Sequence, residues 1–176
     1  MAELEKSMGY LLANEGDNFV IDSGGPTKYG VTFRDLALFR GIPDDIVTNE
    51  MMEELTIMEA TEIYRKFYWD KLRLNEVTNQ NLATCIFDTS VNRGPEVAVK
   101  YTQKVLNTLG AALVVDGEMG LRTIAALNTV SVARFINGFE ALEVAGYLAV
   151  IAAHPAYKIY ENGWMNRAKK LFSLIS

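Results

Sequence analysis

Apolar residues recur at helical spacing along almost the whole chain, and one long stretch, residues 16–30, breaks this pattern. The first helix is predicted at about residues 3–14 and rests on four apolar residues spaced i, i+4, i+7 and i+8: Leu4, Met8, Leu11 and Leu12. Between Gly16 and Gly30 the periodicity ends, and Gly24-Gly25-Pro26 indicates turns. The chain is therefore predicted to be mainly helical, with one loop or small ribbon of strands after its first helix.

Helical signals return after this stretch and continue to the end of the chain. Thr32 and Asp35 resemble a weak capping box for a helix that ends at Gly41, and Thr56 with Glu59 forms a stronger one. Further helices are predicted at about 57–69, 79–92, 95–110, 121–128, 131–152 and 162–174, which makes seven or eight in all. No linker rich in Pro, Gly and Ser interrupts them, so any two lobes are expected to pack directly on one another.

Composition and charge exclude several classes of protein. A chain of 176 residues fits one domain of ordinary size, or a core with a small second lobe. The hydrophobic fraction of 49% with only four prolines excludes a disordered or collagen-like chain. Acidic residues outnumber basic ones by 22 to 17, for a net charge of −5, so we expect no nucleic-acid partner.

The sequence also argues against metal, cofactor and membrane chemistry. The sequence contains one cysteine, Cys85, and one histidine, His154. One cysteine cannot form an internal disulfide, and the two residues together supply too few of the usual ligands for a zinc site. We therefore expect no metal and no cofactor. No apolar run is judged to approach the roughly 20 residues that span a bilayer, and the first residues do not form a signal peptide. We expect the protein to be made in the cytoplasm, and we expect no stable insertion into a membrane.

Candidate catalytic residues lie in the irregular stretch. Glu15 ends the first predicted helix, where the negative end of the helix dipole disfavours a charged carboxylate. Partial burial by Phe19 or Tyr29 would add to this effect, and both would raise the pKa of Glu15, as a general acid at neutral pH requires. Asp22 would stay ionised and stabilise an oxocarbenium-like transition state or orient a water molecule, and Thr27 would hold that water.

The same residues also allow a plainer interpretation. Glu15 and Asp22 would then be solvated loop residues, and the glycines would only make turns. Spacing alone does not decide between the two interpretations.

Candidate substrate-binding residues follow further along the chain. Tyr68 and Trp69 end a predicted helix and present rings that stack on sugar faces; the alternative is packing in the core. Asp88 and Asn92, at i and i+4, would point from one helix face into the same groove. Asn92 is alternatively a helix cap. Tyr29 completes this candidate set.

Five blocks of sequence, in order, resemble glycoside hydrolase family 108. The first combines Glu15-Gly16 with the segment from Asp22 to Thr32, which is similar to the family's glutamate-glycine-glycine and glycine-glycine-x-threonine-x-x-glycine-isoleucine-threonine signature. The others are Ile63-Tyr64-Arg65-Lys66-Phe67-Tyr68-Trp69-Asp70, Phe87-Asp88-Thr89-Ser90-Val91-Asn92-Arg93-Gly94-Pro95, Asp116-Gly117-Glu118-Met119-Gly120 with Thr123, and Gly163-Trp164-Met165-Asn166-Arg167. The later blocks resemble the predicted peptidoglycan-binding domain that accompanies the catalytic part in this family.

This resemblance implies roles for three residues. Glu15 matches the family's catalytic glutamate, Asp22 its acidic residue before the double glycine, and Thr27 the threonine that follows. The sequence departs from the family in two ways. Asp17 stands where a second glycine is usual, and the loop from Glu15 to Gly24 is slightly shorter. Asp17 would raise the pKa of Glu15 by like-charge repulsion, or replace Asp22.

The resemblance also implies a fold and an activity. We expect a mainly helical, α+β lysozyme-like fold of two lobes with a small β-ribbon near the active site. A catalytic lobe would cover residues 1–75, a peptidoglycan-binding lobe would cover residues 76–176, and the glycan cleft would lie between them. Members are N-acetylmuramidases, many of them phage endolysins, which cleave the β-1,4 bond between N-acetylmuramic acid and N-acetylglucosamine.

Expectations about partners and two competing functions complete this interpretation. The partner would be the peptidoglycan glycan strand, and the protein would be a monomer that passes from the host cytoplasm to the periplasm through a holin-type pore. One alternative is a non-catalytic peptidoglycan-binding or virion structural protein on the same scaffold. The other is a lytic transglycosylase that uses the same glutamate. Inverting and retaining mechanisms both remain open, because they depend on the separation of the carboxylates.

Overall fold

Two compact units make up the chain: Leu4–Lys71, and Met1–Glu3 together with Leu72–Ser176. A computed structural model describes residues 1–15, 20–22 and 25–175. Within these residues the secondary structure is mainly helical, with one small antiparallel sheet. This confirms the expected mainly α, lysozyme-like fold class.

The unit Leu4–Lys71 combines helices with that sheet. Its helices are α1 (Leu4–Glu15), α2 (Phe33–Arg40), α3 (Asn49–Glu53) and α4 (Ile57–Tyr64), with a 3₁₀ turn at Asp44–Ile46 and a π-helical turn at Arg65–Trp69. The strands are β1 (Val20–Asp22), β2 (Gly25–Lys28) and β3 (Val31–Thr32), in the order β1-β2-β3. The predicted first helix and the ribbon after it are both confirmed, whereas α3 was not predicted.

Local capping sets the bounds of α2. The Thr32 hydroxyl accepts a hydrogen bond from the Asp35 amide at 3.2 Å, and the Asp35 carboxylate accepts one from the Thr32 amide at 3.3 Å. Both halves of the predicted capping box are therefore formed. Gly41 ends the helix with a φ of 70°, the left-handed conformation that glycine adopts without steric cost.

The second unit is built from helices. They are α5 (Gln80–Arg93), α6 (Pro95–Thr108), α7 (Leu121–Leu127), α8 (Val132–Ala153) and α9 (Glu161–Lys170), with 3₁₀ turns at Leu74–Glu76, Pro155–Tyr160 and Leu171–Leu174. Asn79 caps α5, since its side-chain oxygen accepts hydrogen bonds from the amides of Asn81 and Leu82. Pro95 is the first residue of α6, as predicted. Buried aromatic residues, among them Phe87, Phe135 and Phe139, fill the core of this unit.

Helix α8 corrects the expectation that no apolar segment is long enough to span a bilayer. The 22 residues Val132–Ala153 meet the length and composition of a membrane span, with a mean hydropathy of 1.4 in the most apolar window. Only 28% of that window is buried. Length and composition alone are weak evidence, because core helices of other proteins meet the same criteria. The helix also carries Glu143, which is 2% exposed and whose carboxylate lies 3.5 Å from the Arg93 guanidinium.

Candidate functional site

The three predicted catalytic residues lie on successive elements of the Leu4–Lys71 unit: Glu15 on α1, Asp22 on β1 and Thr27 on β2. Glu15 is the last residue of α1, and no basic residue lies in the last turn of that helix. Asp22 ends β1 opposite Gly25, and Thr27 on β2 pairs with Val20 on one side and Thr32 on the other. For Glu15 and Asp22 the structure describes the position along the backbone only, and Asp17 lies outside the described residues.

A tight turn joins β2 to β3. Its two residues, Tyr29 and Gly30, have φ angles of 54° and 77°, as in the two-residue turns that suit the twist of a hairpin. A left-handed conformation is costly for a residue with a Cβ atom, so Tyr29 needs support. The Tyr64 hydroxyl supplies it by donating a hydrogen bond to the Tyr29 carbonyl oxygen at 2.9 Å.

The aromatic residues of the π-helical turn differ in exposure. Tyr68 is partly exposed, and its ring centroid lies 5.7 Å from that of Tyr64. Burial raises the pKa of Tyr68 to about 12, and the nearby Asp35 carboxylate adds to the shift, so the phenol stays neutral and can donate a hydrogen bond. Trp69 is only 1% exposed. A ring so buried has no free face for a sugar, so its environment is that of a packing residue.

Asp88 and Asn92 lie on α5 in the second unit. Asp88 is 2% exposed, and both its carboxylate oxygens accept hydrogen bonds from Arg167, at 2.9 and 3.1 Å. The side-chain oxygen of Asn92 accepts a hydrogen bond from the Tyr147 hydroxyl at 2.7 Å. The two side chains contact different helices, Asp88 through Arg167 on α9 and Asn92 through Tyr147 on α8. Asp88 is thus held as half of a buried ion pair.

Sequence reasoning missed a second buried pair beside the first. The Arg93 guanidinium lies 3.5 Å from the Glu143 carboxylate, and the two side chains are 14% and 3% exposed. Burial raises the pKa of Glu143, and the positive charge of Arg93 opposes that shift. One signal was available, because Glu143 is a carboxylate between Leu142 and Val144 in an otherwise apolar run.

The described residues contain no cluster of three or more His, Cys, Asp and Glu side chains that could hold a metal ion. Cys85 is fully buried on α5, and burial raises the pKa of its thiol. It therefore lies in the core as a small neutral side chain.

Comparison with known proteins identifies the family. The model of the glycosyl hydrolase 108 family matches residues 8–94, which include α1 from Met8 onward, the ribbon and all of α5. A second model, described as a predicted peptidoglycan domain, matches residues 97–169. The chain belongs to glycosyl hydrolase family 108. Together the two models account for most of its length, and the family was expected from the motifs around Glu15 and Asp22.

Structural comparison agrees with this assignment. The chain is similar to the solved structure of Brucella abortus SagA, with a TM-score of 0.78 and 27% sequence identity. The similarity covers 97% of this chain and 91% of SagA. No curated protein sequence gives a significant match. As a member of family 108 with a peptidoglycan domain, the protein is a glycoside hydrolase that acts on peptidoglycan.

Proposed function

We propose that the protein is an N-acetylmuramidase, which cleaves the β-1,4 bond between N-acetylmuramic acid and N-acetylglucosamine. Glu15 is the general acid that protonates the leaving oxygen. One observation carries this role. Glu15 is the last residue of α1, at the negative end of a helix whose last turn holds no basic residue, and the first strand of the ribbon begins at Val20. Its position also falls within the region that matches the hydrolase family.

Residues of the ribbon carry out the remaining steps of the reaction. Asp22 stabilises the cationic transition state or orients a water molecule, and Thr27 holds that water. The register supports this grouping, because Thr27 pairs with Val20, two residues before Asp22 on the adjacent strand. Tyr29 and Tyr68 contribute partly exposed rings for contacts with the sugar. Trp69 and Asp88 are left out of the proposal because both are buried within protein contacts.

The test is release of reducing ends from purified Gram-negative sacculi, with products identified by mass spectrometry. We expect wild-type protein to release fragments with N-acetylmuramic acid at the reducing end, and Glu15→Gln to release none while keeping its circular dichroism spectrum. Glu50→Gln is the matched control, since it removes a carboxylate from α3 of the same unit. It is expected to act like wild type. Full activity of Glu15→Gln would refute the catalytic assignment.

The products also separate the two competing functions. A lytic transglycosylase would give anhydro-muramic ends and no free reducing ends. A non-catalytic wall-binding protein would sediment with sacculi and give neither product. Comparing Asp22→Asn with Asp17→Asn then shows which carboxylate assists Glu15, because only the assisting residue is expected to lower the rate by orders of magnitude.

We further propose that the protein acts in the periplasm as a phage endolysin released through a holin-type pore. Support comes from the peptidoglycan domain, since the substrate lies outside the inner membrane. Expression in a Gram-negative host with and without a pore-forming holin tests this. We expect rapid loss of culture turbidity only with the holin, and lysis without it would count against holin-dependent release.

A further inference from the structure

A cavity of about 240 Å³ opens next to the C-terminal end of α5 in the second unit. Aromatic rings and two valines form most of its wall: Tyr147, Tyr157, Trp164, Val97 and Val150. The Tyr147 and Trp164 rings stack with centroids 5.1 Å apart, and Tyr157 meets Trp164 edge-on at 6.3 Å. These contacts fix the wall, so the cavity is largely preformed. Its volume is below the ~300–1,000 Å³ typical of pockets for drug-sized ligands, which favours a small group.

Arg93 supplies the charge in this cavity, and most of its hydrogen-bonding capacity is unused. The guanidinium lies over the Tyr147 ring at 4.8 Å and near the Tyr101 ring at 5.6 Å. Its hydrogen bonds among the described residues all come from Nη1, which donates to the carbonyl and to the carboxylate of Glu143 at 3.5 Å each. Nε and Nη2 therefore have no acceptor within that part of the chain, although the side chain is only 14% exposed. A buried guanidinium with free donors favours an anionic ligand.

The lack of a side chain at Gly146 leaves room for the Arg93 guanidinium. Gly146 lies on α8 beneath the guanidinium, and a Cβ atom there would overlap both Arg93 and the Tyr101 hydroxyl. Glycine thus allows the two side chains to lie directly against the helix backbone. The position of the guanidinium is set by this close approach and by the two rings around it.

The other polar groups in the cavity also favour a ligand that accepts hydrogen bonds. The Asn92 side-chain oxygen is already used by the Tyr147 hydroxyl, which leaves its amide N–H groups for a ligand. Neither of the nearby carboxylates, Asp88 and Glu143, lines the cavity, and Arg167 binds both oxygens of Asp88. A sugar, whose hydroxyls must also donate, finds few free acceptors here. A carboxylate needs only donors.

We propose that this cavity binds the terminal carboxylate of a short peptide with small aliphatic side chains, with Arg93 and the Asn92 amide as its polar contacts. Val97 and Val150 provide apolar surface for the methyl groups of such a peptide. Peptidoglycan carries peptides of this chemistry on its glycan strands. The choice of peptidoglycan as the source of the peptide rests on the proposed function, whereas the cavity and its carboxylate contact stand independently of hydrolysis.

The first experiment is a titration of the full chain with N-acetyl-D-alanyl-D-alanine, followed by NMR of the Arg93, Asn92 and Trp164 side-chain N–H groups. The probe has no glycosidic bond, so the result does not depend on whether the protein cleaves glycans. We expect saturable shifts of these three signals. The C-terminal amide of the same dipeptide, which lacks the negative charge, is expected to bind about tenfold more weakly, a difference of about 1.4 kcal/mol.

Variants then locate the site. Arg93→Gln combined with Glu143→Gln keeps the buried charges balanced and is expected to weaken binding of the acid at least tenfold. Tyr157→Ala removes a wall residue that is 45% exposed and is expected to weaken binding without unfolding the protein. Ile159→Ala, in the same 3₁₀ turn but 78% exposed and outside the cavity wall, is the matched control and should bind like wild type.

Three results would overturn the proposal. The first is equal binding of the dipeptide acid and its amide. The second is the same set of shifts with N-acetylglucosamine, which would assign the cavity to a sugar. The third is no saturable shift up to the solubility limit of the dipeptide. Loss of hydrolysis with intact dipeptide binding, by contrast, would count against the muramidase proposal alone.

Discussion

Arg167 binds both carboxylate oxygens of Asp88, with Nη2 2.9 Å from Oδ1 and Nε 3.1 Å from Oδ2. The pair joins α9 to α5 within the second unit, and the two side chains are 14% and 3% exposed. Two parallel hydrogen bonds fix the relative orientation of the groups, so the pair determines how α9 docks on α5.

Removal of one partner is therefore expected to be costly. Arg167→Met should lower the free energy of unfolding by about 3–5 kcal/mol, because it leaves a buried carboxylate without its counter-charge. Urea denaturation measures this loss. Arg73→Met is the matched control, since Arg73 also binds both oxygens of a glutamate, Glu76, but on the surface of the same unit. Arg73→Met should leave the urea midpoint of unfolding almost unchanged. Equal losses of unfolding free energy in the two variants would refute the role of burial.

The stability of the protein should depend on pH through Glu143. Burial raises its pKa in the folded state above the ordinary value of 4.5, so the folded state holds the proton more tightly than the unfolded state does. The stabilisation that the folded state gains from protonated Glu143 is complete below about pH 4.5, and it is lost as the pH rises through the folded-state pKa. A side-chain hydrogen bond from Thr89 and the positive charge of Arg93 oppose the shift, and the negative charge of Asp88 adds to it.

Glu143→Gln removes this titration and provides the test. The variant should gain stability relative to wild type as the pH rises above 4.5, measured as the difference in unfolding free energy at several pH values. Glu140→Gln, one turn earlier on α8, is the control. Its unfolding free energy should change with pH in the same way as that of wild type. A constant difference between wild type and Glu143→Gln at every pH would show that Glu143 does not titrate in this range.

The elements that the sequence predicted well depend on neighbours along the chain. The capping box of Thr32 and Asp35 closes within three residues, so its sequence pattern was sufficient. The box predicted at Thr56 formed only in part. Thr56 accepts a hydrogen bond from the Glu59 amide, but the Glu59 carboxylate binds Arg40 at 2.8 Å with both oxygens. Arg40 lies 19 residues away, and no local pattern indicates that pairing.

The candidate site shows the same division. Glu15 and Asp22 were predicted as catalytic residues because they stand close together in a short motif. Asp88 was predicted to face a ligand, yet its partner Arg167 lies 79 residues further along the chain. A helix pattern shows which face a residue occupies, but not which distant side chain covers that face. The cavity beside Arg93 likewise depends on contacts among α5, α8 and α9, which periodicity does not indicate.

Gly146 should be intolerant of even a methyl group. Gly146→Ala places a Cβ atom against the Arg93 guanidinium and the Tyr101 hydroxyl, both of which must move away from α8. We expect a loss of about 1–3 kcal/mol in unfolding free energy, as for other overpacked sites, together with weaker dipeptide binding. Gly163→Ala on α9 is the control, because no atom lies within 4 Å of its added Cβ. It should show no loss, and a loss there equal to that of Gly146→Ala would refute the packing argument.

The hydrogen bond from Tyr64 to Tyr29 should hold the turn that connects β2 to β3. Tyr64→Phe keeps the buried ring but removes the donor, so the Tyr29 carbonyl loses its bond and the left-handed Tyr29 loses support. We expect a loss of about 1 kcal/mol in unfolding free energy. Amide hydrogen exchange should rise in the hairpin of β2 and β3 while the helices of the second unit keep their protection.

Tyr68→Phe is the control for this change. It removes a hydroxyl from the adjacent ring, which has no backbone acceptor in the described part of the chain, so exchange in the hairpin should stay as in wild type. If Tyr64→Phe also left hairpin exchange unchanged, the Tyr64 hydroxyl would not be what holds the turn. Thr27, which we propose holds the catalytic water, lies on β2. A loosened hairpin should therefore also slow reducing-end release from sacculi, by more than the lost stability alone explains.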